Sequence, residues 1–148
     1  MRQVYQLTNS KQYELRIAVQ FYNDTSDKVF MLYQLFNISD AASGYRLFAN
    51  QTNNETYRLG DCFAALYGAR FSAFDNDNDE DAAVNCAAKH QGGWWFRSSG
   101  CSTCNPTGPL LPPSPDGVTR TGVDGEAFWT DKMGDLAVKK LSMYLVDV

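Results

Sequence analysis

The chain has 148 residues, 44% of them hydrophobic, and a formal net charge of -4, which is enough apolar material for one globular domain with its own core and too little length for a second. With 13 Lys and Arg against 17 Asp and Glu and no basic cluster, it lacks the facing cations with which a nucleic-acid surface displaces counterions from phosphates. No apolar run approaches the roughly 20 residues a bilayer-spanning helix needs, and the mixed segment opening Met1, Arg2, Gln3 contains no signal-peptide core.

Tyr13 to Phe21 sets Leu15, Ile17, Val19 and Phe21 against Glu14, Arg16, Ala18 and Gln20, the period-two pattern of a half-buried strand. Lys28 to Phe36 reads as its partner, and the intervening Asn23-Asp24-Thr25-Ser26-Asp27 supplies turn formers, so an antiparallel hairpin is predicted. Ser39 to Gly44 reads as one capped helical turn closed by glycine, followed by a strand from Tyr45 to Phe48. Asn50 to Glu55 is polar and is expected to be an exposed loop.

Asp75, Asp77 and Asp79 alternate with asparagines, gathering carboxylates where no apolar period can hide them. Two readings stand side by side: a site for a hard cation such as calcium, which oxygen ligands suit, or a solvated loop, since Asp and Asn favour turns. An EF-hand fails in either frame. Starting at Asp75 puts Glu80 where glycine is needed and Cys86 where a bidentate Glu closes the shell, and starting at Asp77 puts Ala82 and Ala88 there. Any ion here is held by two close Asp side chains completed by backbone carbonyls and water.

After Cys104 all five prolines, from Pro106 to Pro115, fall within ten residues, which excludes helix and central strand and predicts a surface loop until Phe128 and Trp129. Lys139 to Val148 alternates again through Leu141, Met143 and Leu145, a closing strand that returns to the early ones and ties both ends into one sheet. The reading is an α+β fold of mixed, mainly antiparallel sheet with short helices. Residues of about 1–70 with 138–148 form a central sheet region, and about 71–137 a loop-rich subdomain.

Four cysteines and four glycosylation acceptors, at Asn23, Asn37, Asn50 and Asn54, favour a secreted, extracellular glycoprotein. The missing signal segment then predicts that the sequence is a fragment, or an incomplete gene model, of something longer.

Taken in order, Tyr13-Glu14-Leu15-Arg16-Ile17, Ala42-Ser43-Gly44-Tyr45-Arg46-Leu47, Gly60-Asp61, Phe71-Ser72, Asp75 to Asp79, Asn85-Cys86-Ala87, Gly92-Gly93-Trp94-Trp95 and Cys101 with Asn105 and Gly108 resemble the fibrinogen C-terminal globular domain, from about Tyr13 to the end. The resemblance implies a domain lacking its front, whose first cysteine pair and following strand would lie before Met1, and hence an exposed sheet edge and doubtful independent stability. It implies a calcium ion held by the side chains of Asp77 and Asp79 and the carbonyls near Asp81 and Ala83. It implies a disulfide between Cys86 and Cys101. Cys62 and Cys104 are additional to the family pattern and are left to pair with each other, the rival being a four-cysteine zinc site.

Relatives keep beside the calcium loop a small pocket that captures acetylated sugars in innate-immune lectins or a peptide terminus in fibrinogen. Its wall maps onto His90, onto Gly100, Cys101 and Ser102, and onto Gly122 and Val123, with a cis bond expected between Gly100 and Cys101. Ser102 stands where the family has histidine, Gly100 where it has a larger residue, and Gly122 where it has an aromatic, so both the stacking faces and the fixed polar groups of a sugar site are depleted. His90 reads either as a ligand contact or as a surface-loop residue, and Trp94 and Trp95 as core. The function implied is a non-catalytic, calcium-stabilised recognition domain of a lectin-like protein, binding glycans or proteins and oligomerising through segments outside this chain. The alternatives are a degenerate member that makes protein contacts without binding sugar, and a metal-dependent hydrolase, weak with a single histidine.

Overall fold

The computed structural model of the protein describes residues 1–22, 28–50, 59–97, 100–110, 126–134 and 136–148. The turn read at 23–27, most of the polar loop after Asn50, most of the proline-rich segment, and with them Asn23, Asn54, Gly122 and Val123, lie outside the described residues.

The fold is α+β. Strand β1, Tyr13–Phe21, lies between β2, Val29–Tyr33, and the closing β7, Val138–Asp147, in an antiparallel sheet of order β2-β1-β7. Leu15, Ile17 and Val19 of β1 face Tyr33, Met31 and Val29 on one side and Leu145, Met143 and Leu141 on the other, so the alternation read from the sequence becomes one stripe across the sheet, buried on β1 and β2 and partly covered on β7. The second strand is shorter than Lys28 to Phe36. Beyond Tyr33 the backbone turns, and the Phe36 amide donates instead to the Tyr13 carbonyl at 3.1 Å.

The opening segment, read only as mixed and without a signal-peptide core, is a helix: α1, Arg2–Ser10. Nine residues are too few to be helical alone, and no side chain caps the start. Packing holds it, with Met1, Val4 and Tyr5 against the core. The Asn9 side-chain amide donates to the Ile38 carbonyl at 2.8 Å, which fixes α1 to β3, Asn37–Ile38.

β3 pairs with β4, Leu47–Phe48, around the turn predicted at Ser39 to Gly44. The turn closes as a Schellman motif: the Tyr45 amide donates to Asp40 O at 2.9 Å and the Gly44 amide to Ala41 O at 3.1 Å, with Gly44 at φ +79°. Asp40 makes the capping bond, its Oδ1 accepting from the Ser43 amide at 2.9 Å, and the Ser43 side chain first, then this amide, hold the Asp40 carboxyl below its ordinary pKa. Tyr45 sits at φ +50° and cannot extend a strand, so β4 keeps only two of the four residues predicted.

Two short helices follow, each announced by its cap. Asp61 precedes α2, Cys62–Leu66, and Asn85 precedes α3, Cys86–Lys89; each side chain accepts from the amide three residues on. β5, Cys104–Asn105, pairs with β6, Phe128–Trp129. A single cluster of buried side chains runs from the β1 stripe through Phe63, Leu66 and Trp94 to Phe96 and on to Trp129 and Val138. Trp94 and Trp95 are buried in it, as read.

Tyr33 ties sheet to helix. Its ring stacks on Phe63 at 4.4 Å and its hydroxyl donates to Asp61 Oδ1 at 2.9 Å. Burial first, and then the neighbouring Asp61 charge, push the Tyr33 hydroxyl far above its ordinary pKa, so it stays a neutral donor. Tyr33→Phe should lower stability by about 1–2 kcal/mol in equilibrium denaturation, because the Asp61 carboxylate that caps α2 loses a charge-assisted partner. An unchanged denaturation midpoint would mean that water replaces the hydroxyl at no cost.

Candidate functional site

The acidic loop is built by backbone amides folding onto carboxylates. Asp77 Oδ1 accepts from the Asp79 amide at 3.2 Å, Asp79 Oδ1 from the Asp81 amide at 2.9 Å, and Asp81 Oδ1 from the Ala83 amide at 3.0 Å. Each Asp thus makes the local turn its side chain favours, and the three repeat every second residue. Upstream, the Asn78 amide donates to the buried Ser72 hydroxyl at 2.9 Å and its side chain to Phe71 O at 3.0 Å. Ser72 in turn exchanges backbone bonds with Trp94, so the loop is anchored on the tryptophan pair.

Asp79 is the hinge of the arrangement. Its second oxygen, Oδ2, accepts from the Cys86 amide at 3.0 Å, which joins the loop to the first turn of α3 and to the cysteine there. Burial raises the Asp79 carboxyl above its ordinary pKa, aided by Asp77, while the bonds from Cys86 and Asp81 pull it down. The donor chemistry suits a hard cation. Asp77 is exposed, Asp79 half-buried, and both present oxygen only. Among the described residues no three His, Cys, Asp or Glu side chains converge as a metal site. A set of two carboxylates completed by the carbonyls of Asp81 and Ala83 remains compatible with that count.

Cys86 is bonded to Cys101 and Cys62 to Cys104. No cysteine is free, so the four-cysteine zinc reading is overturned. The turn between the two bridges is held by Ser102, whose hydroxyl accepts from the Cys104 amide at 3.1 Å.

The expected cis bond is absent. Every peptide bond among the described residues is trans, and the backbone reverses instead through two consecutive left-handed residues, Gly100 at φ +89° and Cys101 at φ +67°. The Arg97 amide donates to Cys101 O at 2.9 Å across the reversal.

His90 is not the surface-loop residue of one of its two readings. The residue is 4% exposed, its ring stacked with Phe96 at 5.7 Å and edge-on to Phe128 at 5.1 Å. Its carbonyl accepts from the buried Asn105 side chain at 2.8 Å. Buried aromatic packing, not a surface loop, fixes it. Of the other pocket residues, Gly100 is exposed, Ser102 half-buried and Cys101 buried. Of the glycosylation acceptors, Asn50 is exposed, and Asn37 lies half-buried in β3.

Sequence reasoning missed a polar cleft of about 580 Å3 beside the acidic loop, where Tyr45, Arg46, Arg70, Asp75, Asn76 and Asn78 come together. Arg46 is drawn there by donating to Gly68 O at 2.7 Å. Single arginines in separate segments carry no spacing signal, so only the fold reveals them.

The family model for the C-terminal globular domain of fibrinogen beta and gamma chains matches residues 1–147, extending the resemblance through α1. Tenascin-R of Gallus gallus is 32% identical over 95 residues, which is 64% of this chain and 6% of that protein. Fibrinogen-like protein A of Apostichopus parvimensis is 33% identical over 105 residues, 69% of this chain and 35% of the relative. The fibrinogen-like globe domain of human ANGPTL2 superposes with a TM-score of 0.78 at 26% identity, over 98% of this chain and 62% of that one. A lamprey fibrin D-dimer shares the fold at 18% identity and a TM-score of 0.71. The chain thus spans about three fifths of the solved globe domain and a small part of tenascin-R.

Proposed function

The protein belongs to the family defined by the globular domain that ends the fibrinogen beta and gamma chains, and from that membership we propose that it is a non-catalytic, calcium-stabilised recognition domain of a secreted protein. The observation that carries the proposal is the Asp79 carboxylate, which accepts from Asp81 and Cys86 through its two oxygens. An ion shared with Asp77 and the carbonyls of Asp81 and Ala83 would relieve the burial of that charge. It would also lock the acidic loop to the Cys86–Cys101 bridge and, through it, to the Gly100–Ser102 turn. Calcium would therefore act as a structural clamp on the turn that relatives use for recognition.

The partner favoured is a protein surface over an acetylated sugar. The Ser102 hydroxyl is engaged inside its own turn and the His90 ring is enclosed by Phe96 and Phe128. That leaves few of the fixed polar groups and aromatic faces a sugar site needs. Glycan arrays run with and without calcium discriminate the two: uniformly negative arrays support the protein-contact reading, and calcium-dependent capture of acetylated sugars reverses it.

Calorimetric titration tests the clamp. Wild-type protein is expected to bind calcium and to gain roughly 2.7 kcal/mol of stability when the ion is at about a hundred times its dissociation constant. The Asp77→Ala, Asp79→Ala double variant should lose both effects. Unchanged binding in the double variant would remove these two ligands from the proposal.

A further inference from the structure

The reversal from Arg97 to Cys101 needs holding. Cys101 takes a left-handed φ of +67°, which a residue with a Cβ adopts only when its surroundings impose it. The two ends of the turn are fastened separately. Cys101 is bonded to Cys86, whose amide donates to Asp79 Oδ2 at 3.0 Å. Arg97, whose own amide donates to Cys101 O, sends its guanidinium the other way. Its Nη1 donates to Glu80 Oε1 at 3.1 Å and reaches Oε2 at 3.4 Å, and its Nη2 donates to the Tyr67 carbonyl. Asp79 and Glu80 are adjacent, so one point of the acidic loop receives both ends of the turn.

The charges give the arginine its reason. From Asp75 to Asp81 every residue except Asn76 and Asn78 is acidic, and their mutual repulsion works against the folded loop. The Arg97 guanidinium brings a positive charge to that loop. Its planar fork serves two acceptors at once, the Glu80 carboxylate and the carbonyl of Tyr67 at the end of α2, which a lysine ammonium on its flexible stem does not hold in one geometry. The Arg97 and Glu80 side chains are 35% and 44% exposed, so salt screens the pair. An exposed pair contributes little to global stability, and its effect belongs at the amides of the turn.

We infer that Arg97 is a positioning residue, a resident cation that holds the recognition turn to the acidic loop when no calcium is bound. The inference rests on the reading of loop and turn given under the proposed function and adds a second tie to it. Calcium acts on the turn through Asp79 and the Cys86–Cys101 bridge, and Arg97 acts through Glu80. The two ties run in parallel, so the turn keeps its shape with either one in place and opens only when both are gone.

Amide hydrogen exchange of the whole protein at residues 97 and 102, in excess chelator and in excess calcium, is the test. The Arg97 amide donates to Cys101 O at 2.9 Å and the Ser102 amide to Gly100 O at 2.8 Å, so both report on the closed turn. Chelated wild type should stay within about threefold of the calcium-loaded protein in protection. Arg97→Ala should lose about tenfold or more in chelator and recover it in calcium. Glu80→Ala should do the same, and the two together should lose no more than either alone. Raising the salt concentration should lower protection in chelated wild type and leave Glu80→Ala unmoved. Chelated Arg97→Ala as protected as wild type, or chelated wild type as open as Arg97→Ala, overturns the resident cation. A turn that opens in chelated Arg97→Ala and stays open in calcium supports the resident cation and sinks the calcium clamp instead, so the two readings fail separately. Should Arg97→Ala not fold, Glu80→Ala and the salt series decide.

Discussion

Replacing Cys62 and Cys104 together by alanine is expected to lower the unfolding free energy by about 4 kcal/mol. The bridge joins residues 42 apart, and in the chain-entropy description a loop of that length restrains the unfolded ensemble more than the 15-residue closure between Cys86 and Cys101, which is worth about 3 kcal/mol. Both sulfurs are buried, Cys62 at 1% exposure and Cys104 at 0%, so alanine also leaves unfilled space beside Phe63. Against a typical stability of about 5–15 kcal/mol, the loss removes much of what holds the domain together. Equilibrium denaturation of the two double variants should therefore rank the Cys62–Cys104 pair as the costlier to lose. A loss below about 1 kcal/mol would place the stabilisation in packing and not in the cross-link.

The bridges do what a larger core would otherwise do, and their arrangement was only partly legible. Cys86 and Cys101 follow a family order, and elimination then leaves Cys62 to Cys104, as the structure has it, although the meeting of α2 with β5 that brings these two together has no spacing of its own. The long strands were readable because side chains alternate along a strand with one covered face, which β1 buries and β7 covers only in part. α1 was not readable. Its start lacks a capping side chain, and its contacts, through Met1, Val4 and Tyr5, are apolar positions that a nine-residue polar helix cannot use until the core exists. α2 and α3 span fewer than two turns each, too short for a period, and only Asp61 and Asn85 mark them.

In the acidic loop, composition was informative and geometry was not. Clustered carboxylates pointed to a turn or a cation, and the structure supplies the turn in full, each Asp closing over the amide two residues on. The bond from Cys86 to Asp79 is what couples the loop to a bridge, and it depends on α3 starting where it does. His90 shows the opposite failure. A lone histidine near a cysteine pair reads as a ligand contact or as a surface-loop residue, and the second of these fails because Phe96 and Phe128, from either side of Cys101 and Cys104, pack on its ring.

Phe63→Ala is the second large effect expected, a loss of about 3–5 kcal/mol. Phe63 is fully buried, and it stacks on Tyr33 at 4.4 Å, meets Trp94 edge-on at 5.3 Å and lies parallel to Trp129 at 6.4 Å. Those three rings come from the sheet, from the segment that anchors the acidic loop, and from β6, so one side chain joins the parts of the fold that share no strand pairing. Truncation removes three aromatic contacts and opens a void in the core. Because the Trp94 backbone carries Ser72, and Ser72 carries Asn78, the damage should reach the loop as well. Under the proposed calcium clamp, calcium affinity should fall together with stability in Phe63→Ala, while Tyr33→Phe, which keeps the ring stack, should leave it unchanged. If Phe63→Ala loses stability but binds calcium as wild type does, the acidic loop folds independently of the aromatic core, and the coupling through Trp94 is refuted.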